Sequence, residues 1–186
     1  MLNKKIIIAV LSVVVVMLVV ALWWRNGDKE IKVTEVKVTP EQVTNTTPLP
    51  GGNTINEEQI VVTEAGTPVQ VNVMPNNPEA PKAVVVSTKK LPQSAVQIKV
   101  GDSKFEPSTF TVQPGAPVSL AFSSVDKKVH VITFSDPSLA ALSFGVGANQ
   151  TKAMTFNAPS QAGEYEFHCD VPGHRAAGEV GVMIVQ

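Results

Sequence analysis

From Ser94 to the C-terminus the chain is a succession of short strands. VQIKV, FTV, VSLAF, VHVITF, KAMTF, EYEFHC and VGVMIV follow one another, with turn residues such as QPGAP between them. None of them carries a helical period. Strands of this length, with turn signals at intervals of roughly 8–12 residues, predict an antiparallel sandwich or barrel with no helical segment. Successive side chains of a strand point to opposite faces, so each run also assigns its own core face. Val118, Leu120 and Phe122 share one face of VSLAF, and His130, Ile132 and Phe134 share one face of VHVITF. In EYEFHC the apolar face carries Tyr165, Phe167 and Cys169, while Glu164, Glu166 and His168 lie on the other.

What precedes this region differs in composition. Residues 6–24, IIIAVLSVVVVMLVVALWW, are interrupted only by Ser12 and end in two tryptophans and Arg25. The run is long enough to cross the ~30 Å hydrocarbon core and carries an interfacial aromatic pair, which predicts an uncleaved transmembrane anchor. A cleaved signal peptide is the alternative; its apolar region is usually shorter and ends in small residues. Residues 1–5 carry Lys4 and Lys5, so the positive-inside bias puts them in the cytoplasm and the remainder of the chain outside it, although Arg25 and Lys29 blunt that bias. Residues 25–93 are rich in Thr, Val, Asn and Pro, with PLPGGN and MPNNPEAP as breakers, and the expectation is a mostly disordered linker. IKVTEVKV and PVQVNV alternate like strands, and the alternative is that one of them packs on the domain.

The chemistry is bounded by scarcity. With a net charge of −1, nothing points to nucleic acid, and one cysteine excludes an internal disulfide. Three histidines, His130, His168 and His174, are too few for a multicopper enzyme, and a two-copper centre would need two bridging cysteines, so one small metal site is the ceiling. Pro172-Gly173 suits the central positions of a type II turn, which can bring His174 back toward Cys169. His168 faces away from Cys169 and is expected at the surface. His130 is the histidine left to complete a site. A thiolate with two imidazoles selects copper for electron transfer. Zinc accepts the same residue types. A nucleophilic Cys169 with His174 as base is disfavoured, because no third group is placed to orient the histidine.

KFEPSTFTVQPGAPVSLAF, VHVITF and YEFHCDVPGHRAAGEVGVMIV together resemble the cupredoxins, the blue-copper family with a Greek-key β-sandwich, over residues 94–186. The resemblance implies one copper ion cycling between Cu(I) and Cu(II), held by His130, Cys169 and His174. It also implies no enzymatic activity, no small-molecule substrate, and protein redox partners.

The chain departs from the family's pattern at one place. Many loops of this length in the family run Cys, four residues, His, four residues, Met, with the methionine as weak axial ligand, and at that place this sequence has Glu179. Met183 and Met154 fall at core positions of their strands. Glu179 is therefore expected as axial ligand or close to it, the alternative being a solvated glutamate. The leading expectation is a membrane-tethered, extracytoplasmic, single-copper electron carrier. A copper-buffering or delivery module and a metal-free structural domain are the rivals.

Overall fold

The computed structural model describes residues 36–37 and 49–186. The apolar run 6–24 and most of the first half of the expected linker lie outside the described residues. Among the described residues no helix is long and apolar enough to cross a membrane.

In chain order the strands are β1 (Val36–Lys37), β2 (Thr54–Ile55), β3 (Val61–Val62), β4 (Val84–Val85), β5 (Val96–Gly101), β6 (Lys104–Glu106) and β7 (Thr109–Val112). They continue with β8 (Pro117–Ser124), β9 (His130–Phe134), β10 (Phe144–Val146), β11 (Thr151–Asn157), β12 (Gly163–Cys169) and β13 (Val180–Val185). A six-stranded sheet has the order β1-β7-β13-β12-β9-β10, a five-stranded sheet the order β4-β11-β8-β5-β6, and β2 and β3 pair as a hairpin. The two larger sheets face each other as an all-β sandwich. One continuous core joins Val96, Leu120, Phe122 and Phe156 of one sheet to Phe110, Ile132, Phe167 and Met183 of the other. Aromatic rings cross between the layers, with Phe105 and Phe167 at 5.3 Å and Phe122 and Phe144 at 6.0 Å.

The alternation read from the sequence holds where it matters. In β9, His130, Ile132 and Phe134 are buried while Val131 and Thr133 are half-buried. In β12, Tyr165, Phe167 and Cys169 are buried, and Met154 and Met183 both lie in the core.

Three expectations are corrected. The pairing is mixed: β5 runs parallel to β8, and β7 runs parallel to both β13 and β1. The chain changes sheet between β6 and β7, so neighbours such as β7 and β13 meet through crossovers, which do not impose the antiparallel sense of a hairpin. There is also a helical segment, the single turn α1 (His174–Ala177), in addition to short 3-10 turns.

The third correction concerns residues 25–93, expected as mostly disordered. From Leu49 onward they lie against the sandwich. Leu49, Ile55 and Val61 form a small buried cluster with Val69 packed on it, while Val71 and Ala83 pack on the main core. β4 extends the five-stranded sheet by pairing with β11. Polar contacts fasten this arm: Val61 N–H donates to Asn157 Oδ1 at 2.8 Å, Asn53 Nδ2 to the Thr155 carbonyl at 3.1 Å, and Ala141 N–H to the Val71 carbonyl at 3.0 Å. The breakers that suggest disorder on composition here form turns between short segments, each of which contributes one or two apolar side chains.

Candidate metal centre

Cys169 ends β12 on its core face and is 1% exposed. The β9–β12 register sets Cys169 opposite Ile132, and this brings the Val131 N–H to 3.4 Å from Cys169 Sγ. Beyond it the chain reverses through Val171–His174. Gly173 takes φ 85° and ψ −19°, and His174 N–H donates to the Val171 carbonyl at 3.0 Å, which is the type II turn the Pro-Gly pair predicts. The turn leads directly into α1. Gly178, at φ 118°, ends that helix after one turn, and Glu179 N–H then donates to the His174 carbonyl at 3.1 Å. Two left-handed glycines thus bracket a four-residue helix. Glycine tolerates that conformation without a Cβ clash. The result is a loop that turns both His174 and Glu179 back toward Cys169.

His130, at the start of β9, is fully buried. Its Nδ1 lies 2.9 Å from Glu179 Oε2, and His174 Nδ1 lies 3.1 Å from the same oxygen and 3.6 Å from Cys169 Sγ. The two imidazole centroids are 5.0 Å apart. One ligand atom from each of His130, Cys169, His174 and Glu179 lies within 4.8 Å of the others. The sequence-predicted residues are therefore brought together, Glu179 with them: at 2% exposure it is not a solvated side chain.

The electrostatics reflect that crowding. Burial works against ionisation of Glu179, but hydrogen bonds and charge from His130, Cys169 and His174 outweigh it and hold the carboxyl below its ordinary value. Burial pushes the Cys169 thiol up, against the backbone N–H groups of Val131 and Val171 and with the Glu179 charge. A buried carboxylate is costly unless paired or bound to a metal. Its convergence here with a sulfur and two imidazole nitrogens is a donor set that fits copper.

His168 is not part of the cluster, as its strand face predicts. It is not a surface residue, however. It is 8% exposed, with Nδ1 3.1 Å from Ser135 Oγ, because the neighbouring strand β9 and the Ser135 turn cover it.

Sequence reasoning missed Asp126. Its Oδ1 lies 3.0 Å from His130 Nε2, on the far side of the ring from Glu179. Burial works against its ionisation too, but hydrogen bonds from Lys128 N–H and His130 hold its carboxyl below the ordinary value. The available signal was an acidic residue four positions before a strand-opening histidine, a pattern too common in turns to single out.

A β-sandwich that gathers two histidines, a cysteine and a glutamate within 4.8 Å of one another has the residues of a mononuclear metal site. The comparisons with known proteins agree: residues 79–182, more than half of the chain, match the family model of the cupredoxin-like domain. The chain belongs to the cupredoxin-like family. That family binds one copper ion, and the His130, Cys169 and His174 cluster fits such an ion. Similar solved structures include dithionite-reduced auracyanin from the photosynthetic bacterium Roseiflexus castenholzii, 22% identical, covering 48% of this chain and 94% of that one with a TM-score of 0.43. Auracyanin A, a "blue" copper protein from Chloroflexus aurantiacus, is 21% identical, covering 50% and 98% with a TM-score of 0.42. A reduced amicyanin variant is 18% identical, covering 57% and 96% with a TM-score of 0.44.

Proposed function

We propose that this protein is a single-copper electron carrier, held to the outer face of the cytoplasmic membrane by residues 6–24. The observation that carries the copper reading is the convergence of two imidazole nitrogens, a thiol sulfur and a carboxylate oxygen within 4.8 Å of one another. When bound, copper supplies a one-electron couple between Cu(II) and Cu(I). His130, Cys169 and His174 would hold it, with the Glu179 carboxylate as a fourth donor beside them. Each is fixed through its backbone by a strand or by the bracketed loop, so neither oxidation state can rearrange the donors freely.

His174 is also the route for electrons. Its side chain is 20% exposed, whereas those of His130 and Glu179 are 0% and 2% exposed. Pro172, Ala176 and Ala177 are exposed around it and form a small apolar rim against which a protein redox partner can close. The anchor rests on the apolar run and its flanking charges alone.

The test is the visible spectrum and voltammetry of the copper-loaded full chain, alongside Glu179→Met. A hard anionic oxygen stabilises Cu(II), whereas a thioether favours Cu(I). The expected wild type shows a thiolate-to-copper charge-transfer band and a reversible couple. Glu179→Met should have a higher potential and a bluer colour. A protein that takes up no stoichiometric copper, or shows no such band, overturns the reading; a variant identical to wild type in colour and potential overturns the axial role. The buried carboxylate also favours a second reading, copper handling without turnover. Rapid copper loss to a chelator together with an irreversible couple would select it.

A further inference from the structure

The His130 ring has two nitrogens, and the metal centre uses only one. Nδ1 faces the cluster. Nε2 points the other way and, among the described residues, meets one partner, Asp126 Oδ1 at 3.0 Å. His130 is fully buried, so without Asp126 this nitrogen would have neither a protein partner nor solvent. A carboxylate accepts hydrogen bonds and cannot donate, so the Asp126 contact places an N–H on Nε2 and leaves Nδ1, which faces Glu179 and the rest of the cluster, as the nitrogen on the metal side.

Asp126 is itself fixed. Its Oδ1 accepts from Lys128 N–H at 2.8 Å and lies 3.2 Å from the Ser124 hydroxyl, and Ser124 is buried at the end of β8. The backbone is held on both sides as well, with Val125 N–H on the Val100 carbonyl at 2.9 Å and Asn149 N–H on the Asp126 carbonyl at 3.2 Å. The carboxylate is therefore delivered to the ring by a loop with little freedom, while its neighbours Lys127 and Lys128 stay exposed to solvent.

We propose that Asp126 is a positioning residue for the copper centre: it fixes the tautomer and plane of His130 and sets a negative charge one imidazole away from the metal. The inference rests on the copper reading above. His130 would then lie between two carboxylates, Glu179 on the metal side and Asp126 behind. Negative charge at that distance favours the more positive oxidation state, so Asp126 should lower the reduction potential. Outer carboxylate partners of ligating histidines also orient the ring and raise its basicity.

The test uses the full chain as wild type, Asp126→Asn and Asp126→Ala, both metal-free and copper-loaded. Asn keeps an oxygen that accepts from Nε2–H but removes the charge; Ala removes both. In metal-free protein, nitrogen-15 NMR should show a His130 Nε2–H protected from solvent exchange in wild type and in Asp126→Asn, and lost in Asp126→Ala. In copper-loaded protein, Asp126→Asn should keep the charge-transfer band while its potential rises. Asp126→Ala should bind copper roughly 10- to 100-fold more weakly in chelator competition. An unchanged potential in Asp126→Asn overturns the electrostatic role, and a fully protected ring N–H in Asp126→Ala overturns the positioning role. If Asp126→Ala fails to fold, the isosteric Asn variant still decides the proposal. Wild-type protein that takes up no copper would count against the copper reading alone, since the metal-free NMR measurement tests the Asp126 contact independently.

Discussion

Val61→Ala tests whether the arm that begins at Leu49 belongs to the folded unit. Val61 is 0% exposed, packs with Leu49, Ile55 and Val69, and sends its N–H to Asn157 on β11. The substitution removes two buried carbon groups at about 0.8 kcal/mol each, so ~1.6 kcal/mol of transfer free energy is lost. Incomplete collapse of the cavity should bring the total to about 2–3 kcal/mol. For a protein of this size that corresponds to a melting temperature lower by roughly 5–10 °C. The assay is thermal unfolding of the copper-loaded full chain, followed by far-ultraviolet circular dichroism and by the charge-transfer band. Both probes should move together, because a shared core makes the transition cooperative. Val85→Ala is the control within the same arm: Val85 is 65% exposed, and its loss should matter by less than ~0.5 kcal/mol. If Val61→Ala melts within about 1 °C of wild type, or if the arm melts in a separate early transition, residues 49–93 are a tether after all.

Cys169→Ser should abolish the charge-transfer band while His168→Ala keeps it, at a stability cost of about 1 kcal/mol for the lost contact with Ser135; absorption and urea titration report the two. Gly181→Ala should destabilise by at least ~1–3 kcal/mol, because the new Cβ meets the Phe167 ring and lies 2.5 Å from the Ser108 carbonyl oxygen. Its urea midpoint should fall, and the band should shift as well, since β13 flanks the strand that carries Cys169. Metal-free protein should lose stability at both pH extremes. Glu179, held below its ordinary value of 4.5, contributes stability that is present above that pH and lost as pH falls through its native value. Cys169, pushed above 9.0, contributes stability that is present below that pH and lost as pH rises through its native value. Urea midpoints across pH check both limbs, and Glu179→Gln should weaken the acidic one.

The parts of the molecule legible in the sequence are those set by local periodicity. Alternation in VHVITF and EYEFHC gives the core faces and puts His130 and Cys169 on them, and Pro172-Gly173 specifies its own turn. Sheet topology is different, because the parallel pairing of β7 with β13 depends on where the chain crosses between sheets, and no residue pattern within either strand encodes that. α1 escapes because four residues are too few to display a helical period. The arm escapes because its apolar residues are sparse and separated by breakers. Val61 is buried by what it lands on, with only a two-residue strand around it. His168 shows the limit of alternation, which gives the face a side chain takes but not what covers that face. Asp126 shows another limit: its role is a single contact across a turn, invisible until Nε2 of His130 has a position.

The placement of Glu179 follows from backbone bonds that do not involve its side chain. Its carbonyl accepts the Cys169 N–H at 3.0 Å, and its own N–H donates to the His174 carbonyl at 3.1 Å. Residue 179 is thus tied to both loop members of the cluster whatever side chain it carries, and Gly178 sets the turn that aims that side chain inward. A substitution at 179 consequently changes the donor while leaving the loop fastened, which is why Glu179→Met isolates the chemistry of the axial position. The same separation does not hold on the other side of the site, where Asp126 joins the centre only through its carboxylate. The main chain therefore ties Glu179 directly to Cys169 and His174, whereas Asp126 touches the centre through one side-chain contact, with His130. Substitution at residue 179 should alter potential and colour while the loop stays fastened, whereas removing the Asp126 side chain should alter both potential and ring orientation.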